Sequence, residues 1–334
     1  IIEEIVRIYG YDKIPSQSIY VTNEKKVNNL CQTRELNMKR SLAQRGLTET
    51  ITWSFMSNKN AQIFGMNNNL EIQNPISSDL DVLRQSIIPN LLDAASYNID
   101  NGEEKICIFE LGPIFNSEFE NNQQIFLSGI RCGQRKKHWL KKERPYDVFD
   151  VKLDVETVLR CCKLPPKSYV LNNDAPSYYH PKKSGSINFL NKSKGGFFGE
   201  VHPDITKKFQ INYPVYAFEL NLNTLPHEFV ENKKSFNSKN FQKVERDFAF
   251  IIDKKIQSQV IIDLINKVES KLINEVNIFD VYEGEGIPEE KKSIAVSIVL
   301  QPEDRTLKDT EIEIICKKII SNVVENTGAI LREK

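Results

Sequence analysis

The clearest alternation of hydrophobic and polar positions lies in residues 241 to 334. The pattern from Phe248 to Ile252 predicts a half-buried strand, and charged residues precede it in VERDFAFIID. The next segment carries one apolar stripe at helical spacing, formed by Ile261, Ile265, Val268 and Leu272. Through residue 334, the alternation of two-residue and helical periods predicts the order strand, helix, strand, strand, helix and strand. This is the βαββαβ order of a ferredoxin-like sandwich.

The second predicted helix of this region has a sequence signal at each end. Thr306 stands three residues before Asp309, which predicts a variant of the capping box at the helix start. Gly328 follows the last periodic residue and predicts the C-terminal cap. The helix is therefore expected between these two signals.

Residues 30 to 226 combine both periods. A helix is predicted from 30 to 48, with Gly46 at its C-terminal cap. Strands are predicted at ITWSF, KICIFELGPIF, QIFLSGIRC, GSINFL, GGFFGEV and VYAFELNL, and further helices at LLDAASYNI and VKLDVETVLRCC. Because most of these strands follow one another directly, the pattern predicts an α+β domain on an antiparallel sheet. The polar stretch from 227 to 240 predicts a linker.

Composition excludes several classes of protein. With 334 residues, 40% hydrophobic and 27% charged, the chain has the length of roughly two soluble globular domains. No run of 18 apolar residues occurs, so no membrane span is predicted. Six cysteines without a C-x-x-C pair or zinc-finger histidines indicate reduced thiols and no zinc site. The sequence starts within an amphipathic helical pattern rather than a signal peptide, so we expect it to begin inside a longer protein.

Charge alone gives no reason to predict nucleic-acid binding. The whole chain has a net charge of zero, and residues 241 to 334 hold 14 lysines and arginines against 18 aspartates and glutamates. One basic segment, residues 131 to 144, has seven lysines and arginines and one glutamate. It is either a solvated loop or a phosphate-facing patch built on Lys136, Lys137, Lys141 and Lys142.

No motif of catalysis is found either. The histidines match neither a metalloprotease motif nor a nucleophile elbow; they are His138, His180, His202 and His227. The glycines of GEGIP, residues 284 to 288, lie between two predicted strands, where a turn explains them better than a phosphate-binding loop. The residues therefore predict no catalytic group in this chain.

Seven motifs in order resemble the C-terminal part of the bacterial phenylalanyl-tRNA synthetase β subunit family, over nearly the whole chain. They are EEIVRIYGYDKIP, NPISSDLDVLRQSIIPNLL, FELGPIF, YYHPKKSGSI, GEVHPDI, VERDFAFIID and FDVYEGEGIPEEKKSIAVSIVLQPEDRTLKD. The resemblance implies a class II synthetase-like, catalytic-like module on an antiparallel sheet, followed by a ferredoxin-fold anticodon-binding domain. It divides the chain into the end of a metal-associated domain (1–15), the module (16–228), a linker (229–240) and the anticodon-binding domain (241–334).

The resemblance also implies a function. The family's enzyme is a cytoplasmic (αβ)2 heterotetramer in which the α subunit joins phenylalanine to tRNA(Phe) with ATP and magnesium. This chain would bind the anticodon and support that activity without catalysing it. FELGPIFN lacks the arginine of the second class II motif, so Arg84 in VLRQSIIP is the one obvious candidate for a phosphate-binding arginine. The alternative for Arg84 is an ion pair at the sheet edge.

In the family, anticodon contacts come from positions that match Ala249 in RDFA, Asp280 and Tyr282 in FDVY, and Ser293 in KKS. Single-stranded bases are read by aromatic stacking and by hydrogen bonds to their edges, which tyrosine, aspartate and serine supply. The small side chain of Ala249 would let a base lie against its strand. Arg246 is a further candidate for a phosphate contact or an ion pair. The alternative is an exposed tyrosine and aspartate without a ligand.

Glu3 and Glu4 match two family glutamates of a magnesium site shared with the α subunit, and carboxylates suit this cation. Because the other ligands lie upstream, we expect an incomplete site. Exposed helix-surface glutamates are the alternative. Two other functions also stay open at this point, a free-standing RNA-binding paralogue of the β chain and a self-sufficient class II enzyme.

Overall fold

The computed structural model describes residues 1–18, 29–66, 70–117, 123–134, 139–140, 144–190, 193–226, 241–270, 272–302 and 305–332. The chain divides into two compact units, Ile1–Glu231 and Asn232–Lys334. The predicted linker from 227 to 240 lies outside the described residues. Among those that are described, no helix has the length and apolar character needed to cross a membrane.

The first unit mixes helices with mostly antiparallel strands. Its described helices are α1 (Ile2–Tyr9), α2 (Leu30–Gln44), α3 (Asn58–Ile63), α4 (Ile88–Asp100), α5 (Val148–Cys161) and α6 (Pro203–Lys208). Its described strands are β1 (Thr48–Glu49), β2 (Phe55–Met56), β3 (Val82–Leu83), β4 (Lys105–Phe115), β5 (Gln123–Gly133), β6 (Tyr169–Asn172), β7 (Tyr179–Phe189), β8 (Lys194–Val201) and β9 (Val215–Asn221).

Seven of these strands form one sheet in the order β1-β4-β5-β9-β8-β7-β6, while β2 and β3 pair separately. Only β1 runs parallel to its neighbour among the described strands of this sheet, and every other pair is antiparallel. The predicted α+β fold on an antiparallel sheet is therefore confirmed. The predicted cap of α2 is also present, since Gly46 has a φ of +82°, a conformation that glycine adopts without steric cost.

Helices cover both faces of the seven-stranded sheet. On one face, residues of α2 and α5 pack in one core with Phe109, Leu127 and Phe218 of the central strands. On the other face, residues of α4 and α6 pack with Ile130 and Ala217. Odd and even positions of β5 and β9 thus enter different cores, as the two-residue period of a strand requires.

The strand predicted at ITWSF is wrong for most of its length. Strand β1 ends at Glu49 and β2 begins at Phe55, so the residues between them are irregular. The physical reason lies at Thr52, whose backbone N donates to Oε2 of Glu110 at 3.1 Å and whose hydroxyl donates to the same oxygen at 2.7 Å. A side-chain carboxylate thus replaces the ladder partner that an extended segment needs.

The second unit has the predicted βαββαβ order. Its described elements are β10 (Val244–Asp253), α7 (Ser258–Val268), β11 (Ile273–Tyr282), β12 (Lys291–Leu300), α8 (Asp309–Thr327) and β13 (Ile330–Leu331). The sheet order is β11-β12-β10-β13, with every pair antiparallel. Both helices pack on one face of it, over a core that includes Phe250, Ile294 and Val296. The ferredoxin-fold prediction is confirmed.

One of the two end signals predicted for α8 is wrong. The helix begins one residue after Lys308, whose backbone N donates to Oε2 of Glu311 at 3.0 Å. Thr306 lies two residues too early to cap it. At the other end Gly328 has a φ of +65°, the left-handed cap that was predicted.

Candidate nucleic-acid interface

The face of the four-stranded sheet away from α7 and α8 carries four of the five residues predicted to bind an anticodon. Ala249 of β10 lies opposite Ala295 of β12, which in turn lies opposite Asp280 of β11. Ser293 lies in the next row of β12, opposite Tyr282. Residues directly opposite each other point to the same face, so Ala249, Asp280, Ser293 and Tyr282 occupy two adjacent rows. We call this face the open face.

A β-bulge in β11 gives Asp280 and Tyr282 their direction. Ile278 pairs with Val296, a buried residue of the helix-covered face, whereas Asp280 pairs with Ala295 on the open face. The pairing shifts by one residue between them, which leaves Phe279 as the extra residue of the bulge. Without this shift, even-numbered residues of β11 would continue to point towards the helices.

The Tyr282 side chain is 39% exposed. Its hydroxyl donates to the carbonyl of Glu285 at 3.3 Å. The guanidinium carbon of Arg332 lies over the ring, 5.9 Å from its centroid. Ser293, by contrast, is only 4% exposed in the central strand. The open face therefore offers an accessible aromatic ring beside a deeper hydroxyl.

Sequence reasoning missed Arg332. The residue follows β13, and its backbone N donates to the carbonyl of Ala249 at 2.8 Å. Ile330, two positions earlier, pairs with Ile251, which lies beside Ser293 on the open face. The two-residue period of the predicted last strand would have placed Arg332 on this face, had the pairing with β10 been considered.

The structure does not bring Arg246 together with the other four candidates. Its parity in β10 is that of Phe248 and Phe250, so it points to the helix-covered side, where it lines a cavity with Cys316 and Lys317 of α8. Its Nη1 donates to the carbonyl of Glu245 at 2.9 Å. An arginine three residues before Ala249 cannot share its face in a regular strand.

The end of the open face beyond the row of Ala249 carries three carboxylates. Glu245, Asp247 and Glu275 are exposed on it, beyond the row of Ala249. Glu245 accepts a hydrogen bond from Ser297 at 2.8 Å, and Glu275 accepts one from Asn277 at 2.7 Å. Carboxylates repel phosphate groups but accept hydrogen bonds from base amino groups, so this surface suits bases better than a nucleic-acid backbone.

Arg84 of the first unit is engaged inside the protein. It is 1% exposed, its Nη1 lies 2.7 Å from Oε1 of Glu110, and its Nε donates to the carbonyl of Pro113 at 2.8 Å. Of the two alternatives for Arg84, the structure supports the ion pair, which lies in the interior and not at the sheet edge. The guanidinium is therefore committed to partners within the protein.

Two of the arginines in the basic segment are also engaged in ion pairs. Arg131 is buried and contacts Asp154 at 2.6 Å, and Arg144 contacts Asp147 and Asp150 at 2.8 and 2.9 Å. The four lysines on which the phosphate-facing patch was predicted lie outside the described residues; they are Lys136, Lys137, Lys141 and Lys142.

The glutamates and histidines considered as metal-binding or catalytic candidates are exposed or make local contacts. Glu3 and Glu4 lie in the exposed first turn of α1, and Glu4 contacts Arg7 at 2.8 Å. Among the residues that the structure describes, no group of three or more His, Cys, Asp or Glu side chains is arranged to hold a metal ion. His180 and His202 each accept a hydrogen bond from a backbone N two residues on.

The sequences of both units match models of known protein families. A family model described as phenylalanyl tRNA synthetase beta chain CLM domain matches residues 14–222. The chain belongs to the phenylalanyl-tRNA synthetase β chain family. A second model, described as ferredoxin-fold anticodon binding domain, matches residues 239–332. The open face of this β-chain member, including Arg332, lies within the second match, whereas Glu3 and Glu4 lie outside both.

Curated relatives are similar to this chain over nearly its whole length. It is 38% identical over 338 residues to the phenylalanine-tRNA ligase beta subunit of Paramagnetospirillum magneticum, covering 99% of this chain and 42% of the relative. It is also 38% identical over 344 residues to the subunit of that name from Bartonella henselae, covering 99% and 43%. The chain thus spans about two fifths of the length of the curated relatives it matches. A solved pyrrolysyl-tRNA synthetase of Desulfitobacterium hafniense aligns with 57% of this chain and 66% of its own, at 13% identity and a TM-score of 0.44.

Proposed function

We propose that this chain is the non-catalytic C-terminal part of the β subunit of a phenylalanine-tRNA ligase and that its open face binds the anticodon of tRNA(Phe). The observation that carries the proposal is the juxtaposition of Tyr282, Asp280 and Ala249 in two adjacent rows of the open face, where the Tyr282 ring is exposed. An unpaired base stacks on the Tyr282 ring, and the Asp280 carboxylate accepts hydrogen bonds from the edge of a base. Ala249 leaves the space that a base needs close to the strand.

The chemistry of the reaction belongs, in this proposal, to a partner. The family name β chain implies an α subunit, which joins phenylalanine to tRNA(Phe) with ATP and magnesium in a cytoplasmic (αβ)2 assembly. The burial of Arg84 and Arg131 supports a non-catalytic first unit, because both guanidinium groups are paired with carboxylates inside the protein.

We also propose a division of the chain into domains. It consists of the end of a metal-associated domain at 1–15, the catalytic-like module at 16–228, a linker at 229–240 and the anticodon-binding domain at 241–334.

Tyr282→Ala tests the proposal in the assembled enzyme. Loss of one stacking partner costs roughly 1 to 3 kcal/mol, so tRNA(Phe) should bind about 5- to 150-fold more weakly. ATP-pyrophosphate exchange with phenylalanine should not change, because activation takes place on the α subunit. Binding is measured by filter retention of labelled tRNA, and activation by the exchange assay.

The matched control is Tyr97→Ala, which removes another exposed tyrosine, from α4 of the first unit. Its tRNA affinity should equal that of the wild type. Equal tRNA affinity of Tyr282→Ala and wild type would refute the anticodon site. Aminoacylation with the α chain supplied and withheld tests the partner, and full activity of the β chain alone would refute a non-catalytic role.

A further inference from the structure

The turn after β11 folds back onto the Tyr282 ring. The carbonyl of Glu285, three residues on, accepts the hydrogen bond of the Tyr282 hydroxyl at 3.3 Å. Gly284 lies between these two residues and faces the tip of the ring. A Cβ atom on Gly284 would sit 2.7 Å from the Tyr282 hydroxyl oxygen and 2.8 Å from Cζ. The turn therefore closes around the ring only because position 284 has no side chain.

Gly284 differs in this respect from the other glycine of the same turn. Gly286 has a φ of +87°, a conformation that strains other residues, and no atom lies within 4 Å of its Cβ position. Gly284 has no such positive φ, and its restriction is the contact with Tyr282 alone. Backbone geometry explains one glycine, and the position of an aromatic ring explains the other.

We propose that Gly284 is a positioning residue that fixes the Tyr282 ring for base stacking. The inference rests on the proposed function of Tyr282. The ring is held at its hydroxyl end by the turn and lies under the Arg332 guanidinium. A side chain fixed before binding loses less conformational freedom when a base stacks on it, so its contact contributes more to affinity.

Gly284→Ala should act on RNA binding through Tyr282. The ring tip is the nearest group to the added methyl and the one most free to move, so the ring shifts and gives up its hydrogen bond to Glu285. Affinity for tRNA(Phe) should fall about 2- to 10-fold, on the order of the cost of immobilising one side chain. This loss is smaller than that of Tyr282→Ala, because a displaced ring still contacts a base.

A double-mutant cycle in the assembled enzyme tests the positioning role. The dissociation constant for tRNA(Phe) is measured for wild type, Gly284→Ala, Tyr282→Ala and the double variant. We expect Gly284→Ala to weaken binding in the wild type and to change nothing once Tyr282 is alanine. An equal loss in both backgrounds, or no loss beside a clear loss for Tyr282→Ala, overturns the positioning role and leaves the anticodon site standing. No loss for Tyr282→Ala itself overturns both.

Two further variants separate positioning from stability. Gly328→Ala strains the left-handed end of α8, where no atom lies within 4 Å of the Cβ position, and should lower the melting temperature without coupling to Tyr282. Tyr282→Phe removes the hydroxyl that donates to Glu285 but keeps Cζ, which lies 2.8 Å from the added Cβ, so it separates the hydrogen bond from the steric contact. The steric contact predicts that Gly284→Ala still weakens binding in the Tyr282→Phe background, and complete loss of the effect there counts against it.

Discussion

The two sheets of this chain use polar residues in opposite ways. The seven-stranded sheet has helices on both faces, and Glu110 and Arg131 of its strands form interior ion pairs with Arg84 and Asp154. In the described part of the second unit, α7 and α8 pack on one face of the four-stranded sheet, and the side chains of Tyr282, Asp280 and Arg332 lie on the other. The same residue types thus serve folding in one unit and are accessible to a ligand in the other. Coverage of the sheet face, and not residue type, decides between these uses.

The largest effect is expected for Asp154→Asn in α5, which packs on one face of the seven-stranded sheet. Asp154 is fully buried and contacts both Arg131 and Arg45. Removing its charge leaves a buried guanidinium without compensation, which costs about 3 to 5 kcal/mol. Hydrogen exchange of backbone amides in β5 and β9 should accelerate accordingly, while exchange in β10 and β12 stays as in the wild type.

The control for Asp154→Asn is Glu156→Gln on the same helix. Glu156 contacts Lys152 at 3.6 Å in a partly exposed pair, so its loss should cost less than about 1 kcal/mol. Similar losses for the two variants would contradict the assignment of Asp154 to an interior network.

The next effect concerns a buried carboxyl and its dependence on pH. Glu219 of β9 accepts hydrogen bonds from Tyr178 at 2.5 Å and Ser86 at 3.2 Å, and burial raises the pKa of its carboxyl from 4.5 to about 6. Because the folded pKa lies above the unfolded one, the folded state binds more protons between these values, and stability falls as pH rises from 4.5 through 6. The full change is about 2 kcal/mol.

Glu219→Gln should lack this pH dependence. The difference in unfolding free energy between wild type and Glu219→Gln is measured by denaturant titration from about pH 4 to 7. As pH rises, the wild type should lose about 2 kcal/mol of stability relative to Glu219→Gln. Groups shared by both proteins cancel in the difference. A difference that stays constant over this range would show that the Glu219 carboxyl does not titrate there.

The smallest effect is expected for Arg332→Gln on the open face. Because Arg332 is exposed and contacts the Tyr282 ring through its cation, its loss should weaken tRNA binding by about 0.5 to 1 kcal/mol. Stability should change by less than about 0.5 kcal/mol, as for most surface substitutions. Lys255→Gln, an exposed change in the same unit, is the control. A large loss of stability for Arg332→Gln would break the contrast between the two sheets.

Strand and helix periods predicted the order of elements in the second unit because each of those helices and central strands buries one face. In the second unit the stripe through Ile261 and Ile265 and the alternation through Phe250 and Ile252 all enter one core, as predicted. The strand predicted at ITWSF failed because a side chain replaced the local pattern. The carboxylate that holds this segment in an irregular path comes from β4, far away in the sequence, so no period within the segment could reveal it.

The site was only partly predictable for a similar reason. Ala249 and Arg246 have opposite parity in one strand, so the separation of Arg246 was readable from sequence. The direction of Tyr282 was not, because it depends on a bulge whose position is set by pairing with β12. Arg332 depends on the pairing of a two-residue strand with β10, a contact between residues far apart in the chain. Local periods carry no information about such pairings.

The bulge at Phe279 makes the open face sensitive to chain length as well as to residue identity. The strand alternates regularly on both sides of the bulge. Even-numbered residues such as Ile278 point to the helix-covered face before it, whereas Asp280 and Tyr282 point to the open face after it. Deleting Phe279 would remove the bulge and leave Asp280 and Tyr282 in their present rows. Deleting Val281 instead would bring Tyr282 opposite Ile294 and turn it towards the helices. Two single-codon deletions, two positions apart, would therefore have opposite consequences for the chemistry of this face.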